Sequence, residues 1–195
     1  VAEALTEPGG RVARECLLPG LSAWGRVRDY RVYQLSQMAN VQTYFDSKLS
    51  ADDIMDFGFA HVAVATGANW RSDGVGRYHT MAIPSDGSVP VYSPDDIMNG
   101  TLIPGNVLVF DDDHYYMGGV IAEKLAEQGS QVTLLTPAAY VSDWSRNTLD
   151  QSFIHQRLVS AGVSPLLNRG LAEIKAGQYV SECVYTGSFL AHDID

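Results

Sequence analysis

Between residues 107 and 136, apolar and polar positions follow a strand–helix–strand pattern. The apolar run 107–110 predicts a buried strand, the amphipathic run 117–128 a helix, and the β-branched run 131–136 a second strand. Gly129 stands where a glycine commonly ends a helix. Strands that alternate with helices form parallel sheets, so we predict an α/β fold of Rossmann-like three-layer units with a parallel sheet.

The residues before this unit give weaker patterns. Spacing of apolar residues predicts a helix over 29–45, with one buried side formed by Tyr33, Leu35, Met38, Val41 and Phe45. Ser50 and Ser93 are each followed by acidic residues and predict the N-terminal caps of two short helices. The compact β-branched run 61–69 predicts a buried parallel strand.

The residues after this unit predict one more helix and several short strands. The helix is expected over 143–161, with four apolar side chains on its inner side: Leu149, Phe153, Ile154 and Leu158. VSPLLN and EIKAGQYVSECVYTG predict short strands, the last two joined by a turn at Ala176–Gly177. The final residues, SFLAHDID, predict no closing element. Because the chain also opens without Met, we expect it to be a piece of a longer protein.

Composition excludes several classes of function. The 195 residues carry 13 Lys and Arg and a net charge of −10, which argues against nucleic-acid binding. Two cysteines without a CxxC motif or a Cys/His cluster predict no disulfide framework and no zinc or iron–sulfur site formed by this chain alone. We therefore expect a reducing, cytoplasmic compartment. No apolar run approaches the roughly 20 residues that cross a bilayer.

Residues 111–116, DDDHYY, stand where a dinucleotide-binding unit has a glycine-rich phosphate loop. Gly118 keeps the place of the third glycine of GxGxxG, but the first two glycine positions are lost. One interpretation is a receiver-like Mg²⁺ site, although the third predicted strand has no phosphoacceptor Asp. Another is a working NAD(P) site, although carboxylates beside a pyrophosphate cost Coulomb energy.

We prefer a third interpretation, a dinucleotide-type fold that has kept its packing and lost its ligand. In that case Tyr115, Tyr116 and Met117 fill or cover the space of a nicotinamide cofactor. The carboxylates are solvated or accept hydrogen bonds from local N–H groups.

Two long stretches, PGLSAWGRVRDYRVYQL and VLVFDDDHYYMGGVIAEKLAEQGSQVTLLTPA, resemble the C-terminal region of the trimethylamine, dimethylamine and histamine dehydrogenases. N-methylproline demethylase-like proteins belong to the same group. The resemblance implies a longer iron–sulfur flavoprotein with an Old Yellow Enzyme-type barrel, FMN and a four-iron, four-sulfur cluster. It further implies amine oxidation, electron transfer to an electron-transfer flavoprotein, and a homo-oligomer.

The resemblance also implies the domains and the site residues. Residues 1–85 would form a truncated FAD/ADP-binding-like domain, and residues 90–195 an NAD(P)-binding-like insert without a GxGxxG loop. The first would hold ADP, the second no cofactor. By the pattern of flavoprotein reductases with two dinucleotide domains, the ADP-site residues would be Glu3, Gly9, Gly10, Arg11, Thr66 and Gly67.

Single residues leave alternatives open. Glu3 either binds an adenosine ribose or is an exposed terminal acid, and Gly9–Gly10 either admit the nucleotide or form a tight turn. For the whole protein, an NAD(P)H-dependent reductase related to the dienoyl-CoA reductases is the alternative, and it requires NADPH binding.

Overall fold

The structure is a computed structural model that describes residues 1–194. The chain divides into two compact units, one of residues 1–69 and one from Trp70 onward. Residues 70–89 belong to the second unit and their backbone bonds to it, as when the Ile174 N–H donates to the Pro84 carbonyl at 2.9 Å. The sequence placed a boundary later, between residues 85 and 90. The assignment of each part to a type of nucleotide-binding domain stays a prediction.

The first unit is mainly loops around short helices: α1 (Gly10–Glu15), α2 (Gly25–Ser36) and α3 (Ala51–Asp56). Ser50 begins α3 as predicted. Its hydroxyl accepts the Asp53 N–H, and the Asp53 carboxylate accepts the Ser50 N–H at 2.8 Å. This reciprocal pair satisfies two backbone donors that a helix start leaves open.

The helix predicted over 29–45 is wrong in its bounds and in its buried side. It starts earlier, at Gly25, and ends at Ser36. Tyr33, Met38 and Phe45, which were expected inside, are exposed. The chain is extended near Tyr44 because both backbone groups of that residue bond to residues 1–3 in a parallel bridge.

The buried parallel strand predicted over 61–69 is also wrong. These residues form no regular element and are exposed, Val64 by 75%. A strand exists only where a neighbouring strand supplies hydrogen-bond partners. Within residues 1–194 no strand lies beside this run, so its β-branched pattern is not sufficient.

The second unit has a helical layer, a parallel sheet and an antiparallel sheet. In chain order its elements are α4 (Pro94–Met98), β1 (Asn106–Phe110), α5 (Met117–Glu127), β2 (Gln131–Leu135), α6 (Gln151–Ser160), β3 (Ser164–Leu166), β4 (Arg169–Lys175), β5 (Gln178–Cys183) and β6 (Phe189–Asp193). Strands β1, β2 and β3 are parallel neighbours in that order, and β4, β5 and β6 form an antiparallel meander. This arrangement confirms the predicted α/β fold with a parallel sheet.

One hydrophobic core cluster of this unit lies where the two sheets pack together. Leu135, Leu171 and Tyr179 are buried at its centre, and Leu108 and Phe110 pack against them. Leu108 and Phe110 are two residues apart on β1, so both face the antiparallel sheet. Helix α5 packs against β1 and β2 and against α6.

Several turns follow the sequence expectation. Gly129 ends α5 with φ of 95°, a left-handed conformation that favours glycine. Ser93 caps α4 with Pro94 at its first position. Ala176 and Gly177 both have positive φ and join β4 to β5, as in the primed turns that suit the twist of a hairpin.

The helix predicted over 143–161 is interrupted. A 3₁₀ turn (Asp143–Arg146) precedes α6, and Leu149 lies between them with φ of 65°. Leu149 and Phe153 are exposed, against prediction, whereas Ile154 and Leu158 are buried as predicted. Leu149 is exposed because the break leaves it outside α6, whereas Phe153 lies about 100° around the helix from Ile154, beyond the narrow buried side that Ile154 and Leu158 form. Strand β6 was not predicted, since its exposed FLAHD sequence lacks a clear alternation.

No helix within residues 1–194 is both long enough and apolar enough to cross a membrane.

Replacing Leu158 tests which side of α6 faces the core. Leu158→Ala should lower the free energy of unfolding by about 2–5 kcal/mol, because the side chain is fully buried between α6 and its neighbours. Phe153→Ala is the matched control on the same helix and should cost less than about 1 kcal/mol. Urea denaturation measures both, and equal losses would contradict the orientation of α6.

Candidate nucleotide site

The turn 111–116 joins β1 to α5 at the carboxyl end of the parallel sheet. Ligands of open α/β sheets bind outside this end of the strands, and phosphates favour the N-terminus of the helix that follows. The turn continues the ladder of β1 by one residue, since the Asp111 N–H donates to the Leu135 carbonyl at 2.8 Å. The backbone that carries the three carboxylates is therefore fixed at the end of β1.

Asp111 points its carboxylate at the first turn of α5. The side chain is 2% exposed, and its Oδ1 accepts the His114 N–H at 3.0 Å. A Cβ placed on Gly118 would lie 2.5 Å from the Asp111 Cγ. Gly118 therefore permits close packing at the start of α5, as the third glycine of a dinucleotide fingerprint does. Here the group that packs against this glycine is the Asp111 carboxylate of the protein itself.

This contact closes the approach to the helix N-terminus. The space above Gly118 is occupied, and the His114 N–H, which a phosphate would otherwise attract, already has an acceptor. Burial raises the pKa of Asp111 to about 6, and the His114 N–H and imidazole oppose that rise. A second anion beside this carboxylate would meet repulsion in a site with little water.

Asp112 turns away from Asp111 and bonds to a distant loop. Both of its carboxylate oxygens lie 2.9 Å from the Tyr78 N–H, and Oδ1 is 3.4 Å from the His114 Nε2. Burial would raise the pKa of Asp112, but the contacts with His114 and Tyr78 outweigh it and hold the pKa below its usual value. In return the Asp112 carboxylate raises the pKa of His114, an effect that burial only partly offsets.

The preferred interpretation of DDDHYY expected carboxylates that are solvated or accept local N–H groups, and Asp111 does accept the local His114 N–H. Asp112 differs from this expectation, because the N–H that it accepts belongs to Tyr78, 34 residues away. The aromatic residues behave differently from the expectation. Met117, the first residue of α5, is buried, but Tyr115 is exposed, with its ring edge-on to that of Tyr116 at 5.2 Å. The space expected for a cofactor is occupied mainly by Asp111 and by the loop containing Tyr78, which Asp112 binds.

Two further contacts, one at this turn and one at the start of α5, were not predicted from the sequence. The Trp144 N–H donates to the His114 carbonyl at 2.9 Å, and the fully buried Ser142 hydroxyl would lie 3.0 Å from a Cβ on Gly119. Tyr78, Ser142 and Trp144 are each about 30 residues from the turn. No local spacing signals such contacts.

In the first unit, Glu3 is half-buried and bonds locally. Its carboxylate accepts the Leu5 N–H at 3.0 Å, and its backbone pairs with Tyr44 and Ser47. The acid therefore fixes the turn after residue 3. A role at a ribose stays a prediction.

Gly9 precedes α1 and Gly10 is its first residue, both with positive φ (116° and 49°). They differ in what surrounds them. A Cβ on Gly9 would lie 2.7 Å from the Arg28 Cδ, whereas a Cβ on Gly10 would meet nothing within 4 Å. Gly9 is thus required by packing against α2. Gly10 leaves open space beside the backbone.

Arg11 connects this turn to the exposed run 61–69. Its guanidinium donates to the Ala68 carbonyl and lies 3.8 Å from the buried Glu15 carboxylate. Thr66 and Gly67, just before Ala68, are exposed, and a Cβ on Gly67 would meet nothing within 4 Å. The structure thus brings Arg11 beside the Thr66–Gly67 segment. The hydrogen bonds of Glu3 go instead to Leu5, Tyr44 and Ser47.

Neither unit offers a metal centre among the described residues. No group of three or more His, Cys, Asp or Glu side chains within residues 1–194 is arranged to hold a metal ion. Cys16 and Cys183 are both free thiols. An iron–sulfur cluster therefore finds no ligand set in the part of the chain that the structure describes.

Fold and site together define a dinucleotide-type α/β domain of the kind found in oxidoreductases, with its phosphate approach filled by a carboxylate. Residues 92–185 match the OYE-like second alpha/beta domain. The chain is 32% identical to dimethylamine dehydrogenase of Hyphomicrobium sp. (strain x) over 178 residues, which cover 87% of this chain and 24% of that protein.

Two solved structures are more similar. Histamine dehydrogenase from Rhizobium sp. 4-9 has 58% identity and a TM-score of 0.95, over 100% of this chain and 30% of that one. The 6-hydroxypseudooxynicotine amine oxidase from Pseudomonas geniculata N1 has 41% identity and a TM-score of 0.92, over 100% and 29%. The chain thus spans less than a third of each relative. It belongs to the trimethylamine, dimethylamine and histamine dehydrogenase family.

The stability of the protein should depend on pH through Asp111. Its pKa in the folded protein lies above that of the unfolded chain, so its contribution is fully present below about pH 4 and is lost as the pH rises to about 6. Asp111→Asn removes this dependence. The free energy of unfolding of the variant minus that of the original protein should therefore increase by about 2 kcal/mol between pH 4 and pH 7.

Denaturant titrations at several pH values measure that difference. Asp113→Asn is the matched control, because it removes one carboxylate from the same turn at a half-buried position without a hydrogen bond to the His114 N–H. An equal increase in both variants would refute a special environment for Asp111.

A double-mutant cycle tests the contact between Asp111 and Gly118. Gly118→Ala alone should cost about 1–3 kcal/mol, because the new Cβ overlaps the carboxyl group. In an Asp111→Gly background the same change should be close to neutral, since the Asp111 Cβ and carboxyl group that the new Cβ overlaps are both gone and Ala favours helix. Additive losses, measured by thermal denaturation, would show that the two groups do not touch.

Proposed function

We propose that this chain is a structural, ADP-holding and non-catalytic region of a longer amine dehydrogenase or demethylase. The longer protein carries out oxidative N-dealkylation or deamination, with FMN and a four-iron, four-sulfur cluster supplying the redox chemistry outside the residues described here. Electrons leave to an electron-transfer flavoprotein. We further propose a cytoplasmic homo-oligomer in which the rest of the longer chain packs on this region.

The observation that carries the proposal is the carboxylate of Asp111 above Gly118. A domain that used NAD(P)H would need this space for the pyrophosphate. Its closure in a chain 58% identical to histamine dehydrogenase supports an oxidoreductase whose electrons come from an amine and not from a nicotinamide. The NADPH-dependent alternative gains no support from the geometry.

The fit of ADP to the first unit is favourable at two positions. Gly10 and Gly67 both have positive φ and open space where a side chain would stand, so a ligand can approach the backbone there. Arg11 lies between them through its bond to Ala68, and a guanidinium is the usual partner of a phosphate. Glu3 would be the acceptor for the ribose hydroxyls.

The test uses the full-length protein that contains this region. Nucleotides released by denaturation should be ADP and FMN, identified by chromatography and mass. Amines related to the family's substrates should reduce electron-transfer flavoprotein through the enzyme, whereas NADH and NADPH should not. Amine-independent oxidation of NADPH would overturn the proposal.

A pair of matched variants locates the ADP. Gly10→Val should lower the ADP content of the purified protein several-fold, because the side chain fills the open space. Gly87→Val is the control, since Gly87 also has positive φ and nothing within 4 Å but lies in the second unit. Equal ADP contents in both variants would remove Gly10 from the site without affecting the amine dehydrogenase assignment.

A further inference from the structure

In the second unit, the loop Asp73–Ile83 closes on itself. The Ile83 N–H donates to the Asp73 carbonyl at 2.9 Å, and the Gly76 N–H donates to the His79 carbonyl at 2.9 Å. Eleven residues whose ends meet in this way form a compact Ω-type loop. Such a loop is held to the protein by the contacts of its tip, here Gly76–His79.

The tip lies on the carboxyl end of β1. The Tyr78 N–H donates to both oxygens of Asp112 at 2.9 Å, and a Cβ on Gly76 would lie 2.9 Å from the Asp112 Cγ. The His79 ring lies 5.8 Å from the ring of Phe110, the last residue of β1. The loop thus covers the strand end at which α/β sheets bind their ligands.

Two further contacts hold the tip at its sides. The Tyr78 ring lies against Gly170 of β4, so closely that a Cβ on Gly170 would be 2.9 Å from its Cδ1. The Arg77 guanidinium stacks over the Trp144 ring at 4.7 Å, which links the loop to the turn after β2. These are surface contacts with rings that remain partly exposed, whereas Asp112 is buried.

We propose that Asp73–Ile83 is a strap that closes the nucleotide cleft of this unit from outside, and that the Asp112 carboxylate is its latch. Asp112 is suited to this role because it is fixed from the other side by His114, 3.4 Å away. A hydrogen bond to a buried carboxylate is among the stronger kinds, and its loss leaves the Tyr78 N–H without an acceptor. The proposal concerns this unit alone and does not depend on the activity of the longer protein.

Hydrogen exchange and proteolysis of this chain test the latch. In Asp112→Ala, the amide of Tyr78 and its neighbours in the strap should exchange at least ten-fold faster than in the original protein. Trypsin should then cut after Arg77, with Arg71, which is exposed outside the strap, as the internal reference. Asp113→Ala is the matched control in the same turn and should leave both readouts unchanged.

Gly76→Ala perturbs the same contact from the side of the strap, because its new methyl group overlaps the Asp112 carboxylate. It should open the strap as Asp112→Ala does, while the amides of β1 keep their protection. Strap exchange equal to that of Asp113→Ala in both variants would overturn the proposal. If the β1 amides of Asp112→Ala also lose their protection from exchange, that variant has unfolded globally. The exchange of the strap amides in Gly76→Ala then decides whether Asp112 is the latch.

Discussion

The contact between the Asp111 carboxylate and Gly118 determines what the second unit can do. In an α/β sheet, the helix that follows the first strand attracts anions because its N-terminal N–H groups are unpaired. Here the protein supplies the anion itself, from the last position of the strand ladder. The fold keeps the close strand–helix packing that glycine permits, and a bound phosphate is no longer required to complete it.

Features that depend on neighbouring residues could be predicted from the sequence, whereas contacts between distant residues could not. The strand, the turn at Gly129, and the capped starts at Ser50 and Ser93 follow from local chemistry, because each depends on residues within one or two turns. That Gly118 stands on the helix is likewise local. By contrast, the acceptor for the Tyr78 N–H lies 34 residues away, so only the folded chain shows that Asp112 is buried.

The errors have a common physical origin. The run 61–69 has the composition of a buried strand, yet Val64 is exposed, since strand formation depends on partners that the local sequence does not describe. Leu149 was placed inside because a continuous helix was assumed. Its left-handed conformation breaks that helix and leaves the side chain exposed. In both cases tertiary context outweighed a correct local pattern.

Consecutive carboxylates at a strand end perform two separate tasks because neighbouring side chains of an extended chain point in opposite directions. Asp111 faces α5, and Asp112 faces the loop that contains Tyr78. His114 joins them, with its backbone N–H on the first and its imidazole on the second, in a left-handed conformation with φ of 62°. In the sequence the two adjacent carboxylates look like a metal or phosphoacceptor site. In the folded chain they point in different directions and bind different partners. Asp111 occupies the helix N-terminus that phosphates favour in such folds, and Asp112 holds a loop against the end of the strand.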